Sequence, residues 1–512
     1  MKRFPLALLA LCKSGDILIV RDGCFDIRFC MFGAMSESRS IYFWDLAGVS
    51  ADYLFDNTDN LVEIKGNDCI NWKEKFTTII LLGDLNVNDY LECLDKAGII
   101  NCLNRPSASH KSGSDKISHF NEIKYYIYPR EDMIAITYGK SFIDFPFLSF
   151  ETGLYSRVRS YLFGILSSLA PFRNRKVYCL TSYRLKDICD SNTDRKPLSF
   201  FKRYQAYIRC GRIAVVFDEK KVIKIPLSST ALQSLRRSVE HTKDARYHAP
   251  NKMRFVIPEI LGNHLEDYPY YVEEKKCNGV LATNYRMNMI SYRKAIRNAV
   301  DFITALHVKS RRCVTVTRDE YDRIIGSKIS FLRARSPSRY VPLFDRIESF
   351  ISGSFIGKQI YLVFSHGDYW SGNMIVSGND LNLTGVIDWD NSDHDQLPLL
   401  DIIHLISMRN KHITNKFFAL YILYVLLPMR LMHWEKEIVH NYMREVGLSD
   451  KLWDVMIISY WMQRCYLWYQ IDVSNPDCLT HDEKRWIEMS LYNVLGRICH
   501  RLEALNTNSI SN

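Results

Sequence analysis

The stretch His366-Gly-Asp368-Tyr-Trp-Ser-Gly-Asn373-Met-Ile-Val376, followed by Gly385-Val-Ile-Asp388-Trp-Asp390, decides how the rest of the chain is read. An apolar run from Ile360 to Phe364 leads into it. Phosphoryl transfer from ATP to a hydroxyl asks little covalent chemistry of a protein. It needs a carboxylate to orient the hydroxyl and take its proton, and oxygen ligands to hold Mg²⁺ against the phosphates. A loop presenting Asp and, five residues on, Asn puts one group at the acceptor and the other at the metal. A second carboxylate closing a nearby apolar strand completes the set. Asp368, Asn373 and Asp388 fit these three roles. The plainer reading is an exposed loop with incidental acidic residues, and the placement between an apolar run and a strand-turn-strand pattern weighs against it. His366 is expected to brace the loop, with Asp401, and not to touch substrate.

Upstream, runs at Ala206 to Ile208, Ile213 to Phe217 and Val222 to Ile225 read as successive antiparallel strands. A helix is expected from about Ala231 to Tyr247, with strand signals near Phe255 to Leu261 and Tyr270 to Val272. Lys224 sits in an apolar strand, where a lysine is costly unless its ammonium reaches a partner. The α- and β-phosphates of ATP are such a partner, and Glu240 on the next helix is positioned to hold the side chain. The alternative for Lys224 is an edge-strand lysine facing solvent. Gly211 lies between two strand signals, in Cys210-Gly-Arg, and is the residue assigned to the phosphate-covering loop. No G-x-G-x-x-G accompanies it. Tyr271-Val-Glu273-Glu fits a hinge that would read adenine.

These motifs resemble those of the aminoglycoside phosphotransferase and choline kinase group of small-molecule kinases. That group reads H-G-D-x-x-x-x-N followed by I-D-W-[DE], and both elements stand here intact. The resemblance covers roughly residues 200 to 490 and is absent from the first two hundred. It implies a protein-kinase-like fold, with Asp368 as catalytic base and Asn373 and Asp388 as Mg²⁺ ligands. It also implies ATP as phosphoryl donor and matches Asp401, in Leu399-Leu-Asp-Ile-Ile403, to an aspartate that buttresses the catalytic loop.

The expected fold class is therefore α+β and bilobal. A small antiparallel-sheet lobe would occupy 199–280 and a large helical lobe 281–512, after an N-terminal α/β domain (1–110) and a connecting α/β segment (111–198). Such a layout places an ATP cleft between lobes. Trp-Asp follows Asp388 in place of Phe-Gly, and only twelve residues separate Asp388 from Asp401. That leaves no room for a long peptide-docking segment and points to a small-molecule or glycan hydroxyl as acceptor. Helical chain from Arg318 to Phe355 and the C-terminal helices would build the acceptor pocket, with Asp393, Asp395, Trp434 and Trp461 as candidate lining.

The first two hundred residues are less specific. Thr78 to Gly83 reads as a buried strand and Asn88 to Ala97 as a helix, together a βα unit of a small Rossmann-like layer. No dinucleotide fingerprint supports a nucleotide or methyl-donor site there. Leu6 to Leu11 and Ile17 to Val20 read as a hairpin in preference to a signal sequence. Asn104 to Lys116, with Pro106 and four serines, is a linker or loop. Tyr155 to Leu169 has one apolar helical face beside Arg157 and Arg159, so either it docks on its own domain or it makes weak membrane-surface contact.

The chain has 512 residues, 47% of them apolar and 24% charged, which excludes a wholly disordered or collagen-like protein. Its net charge of +10 suits anionic partners such as nucleotides, and no nucleic-acid partner is expected. Fourteen cysteines show no zinc-ligand spacing, so reduced thiols in a cytoplasmic protein are expected. Phe417 to Leu427 is too short to cross a bilayer and reads as a buried helix. From another functional class, a non-catalytic kinase-like scaffold whose N-terminal region binds a partner explains the same layout. A two-function enzyme with an active N-terminal βα segment is a third reading.

Overall fold

The computed structural model describes residues 220 to 474 except 267–269, 379 and 415–417; it also describes 491–492, 494–500, residues 40 and 85, and the strands named below that precede residue 220. The chain divides into two compact units. One comprises Met1–Arg236 with Ile260–Lys276, the other Arg237–Glu259 with Cys277–Asn512.

The first unit is organised by a sheet of thirteen strands. Five are parallel: β1 (Asp16–Arg21), β2 (Ile41–Asp45), β3 (Leu61–Glu63), β4 (Phe76–Leu82) and β5 (Leu94–Asn104). Then come β6 (Phe120–Pro129), β7 (Met133–Tyr138), β8 (Tyr178–Leu185), β9 (Gln205–Arg209), β10 (Ile213–Phe217), β11 (Lys221–Pro226), β12 (Ile260–His264) and β13 (Tyr271–Lys275). The spatial order is β3-β2-β1-β4-β5-β8-β6-β7-β9-β10-β11-β13-β12. Ile17 to Val20 and Ile79 to Leu82 are entirely buried. Such unbroken apolar runs suit parallel strands covered on both faces.

Three local expectations change here. Both edges of β1 are taken by parallel neighbours, β2 and β4, so it is not the return strand of an N-terminal hairpin. Arg3–Pro5 instead pairs in parallel with Arg28–Cys30, and residues 6–11 lie outside the described residues. The turn-like Lys13 to Asp16 misled because a buried parallel strand and a hairpin strand have the same local composition. Residues 94–97, expected to end a helix, belong to β5, whose parallel pairing with β4 supplies what local periodicity could not. The ladder also runs unbroken across residues 110 and 198. Tyr155 to Leu169 and Gly211 lie outside the described residues.

The second unit is mainly helical. Helix α1 (Ser229–His248) begins in the first unit and continues into it. Asn288 caps α2 (Met289–Ser310), its side chain accepting the Ser291 N–H at 3.2 Å. Tyr292, Ala295, Ile296, Ala299, Ile303 and Leu306 repeat at helical spacing and are buried. Then follow α3 (Arg318–Tyr321), α4 (Ser327–Ala334), α5 (Val341–Phe355), α6 (Leu400–Thr414), α7 (Phe418–Tyr421), α8 (His433–Val446) and α9 (Trp453–Ser474). Two three-stranded sheets interrupt them. The first is β14 (Val280–Leu281), β17 (Met374–Val376) and β18 (Leu383–Val386). The second is β15 (Arg312–Thr315), β16 (Gln359–Ser365) and β19 (Asp393–Gln396). One continuous apolar core joins these elements. Mixed helices and sheets make the chain α+β. Among the described residues, no helix is long and apolar enough to cross a membrane.

Candidate active site

The loop from His366 to Asn373 joins β16 to β17, so two ladders fix its ends. Gly367 has φ +78, and a Cβ there would meet the Asn391 carbonyl oxygen at 2.1 Å; the glycine is required by both backbone and space. Asp401, in the first turn of α6, accepts the N–H of His366 at 2.8 Å and of Gly367 at 2.9 Å. It is 2% exposed, and burial alone would raise its pKa. The His307 hydrogen bond and charge, with His366, hold its carboxyl below the usual range. His307 is itself set by the Tyr442 hydroxyl, 2.6 Å from Nδ1. Asp401 thus braces the loop through its backbone. The His366 ring works alongside it: Nε2 meets the Ile387 carbonyl at 3.0 Å, and Nδ1 accepts the Asp368 N–H at 3.3 Å. Tyr369 anchors the loop to α2, its hydroxyl donating to the Ala299 carbonyl at 2.6 Å.

Asp368 and Asn373 come together as their spacing requires. Asn373 Nδ2 donates to the Asp368 carbonyl at 2.9 Å and to its Oδ2 at 3.1 Å. The Asn373 carbonyl accepts the Ile387 N–H at 2.9 Å, which ties the loop to the segment carrying Asp388. Asp388 is exposed and has φ 72, a left-handed conformation that Asp tolerates better than most residues. Its neighbour Trp389 is buried, the indole N–H bonded to the Val386 carbonyl at 2.8 Å. The buried indole fixes the turn from which Asp388 projects.

Two residues missed in the sequence complete the cluster. His404 Nε2 lies 2.9 Å from Asp368 Oδ1, and its Nδ1 lies 2.9 Å from the Tyr460 hydroxyl. Arg464 Nη2 approaches the same Oδ1 at 3.4 Å, while Nη1 donates to the Gly367 carbonyl at 3.1 Å. Asp401 and His404 stand three apart on α6, a spacing that puts both on one helical face and could have flagged His404. Arg464 has no such signal, because α9 reaches the loop only through the fold. Burial would raise the Asp368 pKa, but the His404 hydrogen bond and the Arg464 charge hold it well below the carboxylate range. Burial and the Arg464 charge lower His404 to about 4, so its ring is neutral at pH 7. A neutral ring donating from Nε2 to Asp368 and accepting at Nδ1 from the Tyr460 O–H satisfies every partner.

An unfolded histidine titrates near 6.5, so between pH 6.5 and 4 the unfolded chain binds the proton that folded His404 refuses. The stability held by neutral His404 is present above pH 6.5 and is lost as pH falls towards 4. His404→Gln should remove up to about 3 kcal/mol of this acid-side loss. Denaturant unfolding at pH 7 and pH 4.5 measures it, and equal losses in both proteins would contradict it.

Of the nucleotide-binding assignments, Lys224 and Glu273 lie in the first unit and Glu240 on α1, while Gly211 lies outside the described residues. Lys224 Nζ forms an ion pair with Glu274 Oε1 at 2.8 Å, both side chains largely buried. On the β11–β13 ladder Val222 is opposite Glu274, so Lys224 is its diagonal neighbour on the same face. That cross-strand neighbour takes the role assigned to Glu240, which lies exposed on α1. Helix register is not fixed by one sequence, and Glu274 becomes the neighbour of Lys224 only through the ladder. Glu273 carries a matching pair with Lys221 at 2.6 Å. Its backbone lies between β11 and β12, opposite Ile223 and Gly262, so it is committed to the sheet and not free to read adenine. Of the acceptor-pocket candidates, Trp461 is core, Trp434 lies 5.3 Å below Arg409, and Asp395 is paired with Arg312 and Arg323. Asp393 accepts from Gln396 Nε2 at 2.5 Å.

Asp368, Asn373, Asp388, Asp401 and His404 all fall within one matched segment. Residues 327–424 match the phosphotransferase enzyme family (APH). The family match covers the catalytic loop and its braces, a narrower span than the 200 to 490 expected. Lys224, Glu274 and Arg464 lie outside it. No curated protein matches the chain. Among solved structures it is similar to ADP-bound aminoglycoside phosphotransferase APH(2'')-Ib, at 13% identity over 55% of this chain and 89% of that one, TM-score 0.35. Another is aminoglycoside phosphotransferase APH(3'')-Id from Streptomyces rimosus, at 13% over 49% and 89%, TM-score 0.31. A choline/ethanolamine kinase family protein from Mesorhizobium loti matches at 13% over 59% and 89%, TM-score 0.37.

Proposed function

We propose that the chain is an ATP- and Mg²⁺-dependent phosphotransferase that moves the γ-phosphoryl group to a hydroxyl of a small molecule or sugar. The observation that carries this reading is the Asp368–Asn373 pair on a loop braced by Asp401 and tied to the Asp388 turn. Asp368 orients the acceptor hydroxyl and takes its proton. Held ionised by His404 and Arg464, it is a weak base, which suffices when bond breaking to the leaving group runs ahead of attack.

Asn373 and Asp388 supply an amide oxygen and a carboxylate. That donor set fits Mg²⁺, which takes one or two protein oxygens and completes its shell from phosphates and water. When bound, the ion would neutralise charge on the phosphates. Lys224, steadied by Glu274, would hold the α- and β-phosphates, and Gly211 would lie in the loop that covers them. The protein would act in the cytoplasm, where ATP is available.

An ATP-consumption screen across aminoglycosides, amino alcohols and sugars tests the proposal. Acceptor-dependent ATP loss is expected with at least one class and not with Asp388→Ala. Equal ATP consumption by Asp388→Ala would overturn the assigned site.

A further inference from the structure

Two segments far apart in sequence bring exposed aliphatic side chains and a set of cations to one place on the second unit. Tyr292, Ala295, Ile296 and Ala299 bury one face of α2. Ile290, Arg293 and Lys294 stand on the opposite face, and Met287 precedes the helix cap. Among the described residues, Ile290, 84% exposed, and Met287, 76% exposed, are the most exposed of the large apolar side chains. Met432, 46% exposed at the start of α8, joins them. The Arg409 guanidinium fixes this meeting, with Nη2 3.6 Å from the Met289 sulfur and Nη1 3.8 Å from the Met432 sulfur. Arg293 ties the same two helices together, its guanidinium 5.5 Å from the Trp434 ring. A single exposed aliphatic residue needs no explanation. Three on one surface leave apolar area in water that burial would recover.

Charge decides what buries it. Arg293, Lys294 and Arg430 are exposed, and Lys436 is half-buried one turn after Met432. Among the described residues, none of these four forms an ion pair. The neighbouring carboxylates on α8 are already taken, Glu435 by Arg409 at 2.8 Å and Glu437 by Arg297 at 3.3 Å. The surface is therefore an apolar centre with an uncompensated cationic rim. A second copy of the chain would bring the same four charges against themselves. Nucleic acid is gripped by cations together with aromatic rings on which bases stack. Here the exposed apolar groups are aliphatic, and the neighbouring indole, Trp434, is buried. A bilayer with anionic headgroups meets both features. It attracts the rim and takes up aliphatic side chains at the boundary between headgroups and acyl chains, without needing a shaped pocket.

We propose that the starts of α2 and α8 form a docking surface for an anionic lipid bilayer. Met287, Ile290 and Met432 insert, and Arg293, Lys294, Arg430 and Lys436 rest on the headgroups. The reading is independent of the proposed kinase activity.

Flotation of the full chain with vesicles of phosphatidylcholine, alone or mixed with phosphatidylglycerol, tests it. Binding is expected only to the mixed vesicles and should fall as salt is raised. Lys294→Glu should weaken it about tenfold or more, and Ile290→Ser about tenfold, with both variants melting as the unsubstituted protein does. Excess soluble glycerol phosphate at matched ionic strength should leave the protein on the vesicles. Absence of binding to the mixed vesicles would overturn the proposal, as would equal binding to both kinds. Binding undiminished in the two variants, or release by glycerol phosphate, would do the same. An Ile290-dependent dimer, or a Lys294-dependent complex with single-stranded RNA, formed while the vesicles stay unbound, would give the surface a different occupant and overturn the assignment to lipid.

Discussion

Asp368→Asn is expected to lower turnover about a thousandfold while leaving the affinity for MgATP nearly unchanged. The substitution keeps the size of the side chain and removes its capacity to take a proton from the acceptor. It has a structural cost as well. Asp368 now faces three donors, His404 Nε2, Asn373 Nδ2 and Arg464 Nη2, and an amide can accept on only one of its two ends. One N–H would then confront another, so a stability loss of about 1–3 kcal/mol accompanies the loss of rate. Single-turnover kinetics with the acceptor found in the screen, together with MgATP titration, separates the two effects. Turnover at the level of the unsubstituted protein would remove Asp368 from its role.

Glu435→Ala should destabilise the chain by about 3–5 kcal/mol. Arg409 on α6 and Glu435 on α8 form an ion pair at 2.8 Å, with side chains 3% and 2% exposed. The guanidinium also lies over the rings of Tyr292, at 5.8 Å, and Trp434, at 5.3 Å. Removing the carboxylate leaves a buried cation that faces, among the described residues, the rings of Tyr292 and Trp434 and the sulfur atoms of Met289 and Met432. The Glu435 carboxylate has a second duty, since Oε2 accepts the Met432 N–H at 3.0 Å at the start of α8. Replacing both charges, as Arg409→Met with Glu435→Leu, should recover most of the loss, because the pair's desolvation cost disappears with its attraction. Denaturant midpoints of the three proteins measure this. A single variant within about 1 kcal/mol of the unsubstituted protein would contradict it. The effect reaches the site, because α6 carries Asp401 and His404 as well as Arg409.

What was legible in the sequence follows the range of the interactions. Asp368, Asn373 and the Asp388 turn lie within one short span, so their chemistry and order could be read directly. The strands around Lys224 were legible because alternation and apolar runs are local. The Lys224 partner was not, since Glu274 becomes its neighbour only through the β11–β13 register. His404 was half-legible, as its spacing from Asp401 shows a shared face but nothing shows what that face meets. Arg464 was illegible for the same reason at longer range. In the first two hundred residues, the apolar runs of β1 and β4 read as strands. Their partners could not be, because parallel pairing joins segments that no local turn connects. The strand order of that sheet is a property of the fold alone.

On the proposed reading, Asp388 and Asn373 hold a divalent cation against the phosphates of ATP, beside the carboxylate of Asp368. Calorimetric titration of the full chain with ATP, with and without Mg²⁺, tests it most directly, alongside the Asp388→Ala variant. Binding should tighten about tenfold or more when Mg²⁺ is present, and the variant should lose that gain while melting at the same temperature. ATP binding indifferent to Mg²⁺, or a Mg²⁺ gain that survives in Asp388→Ala, would contradict the account.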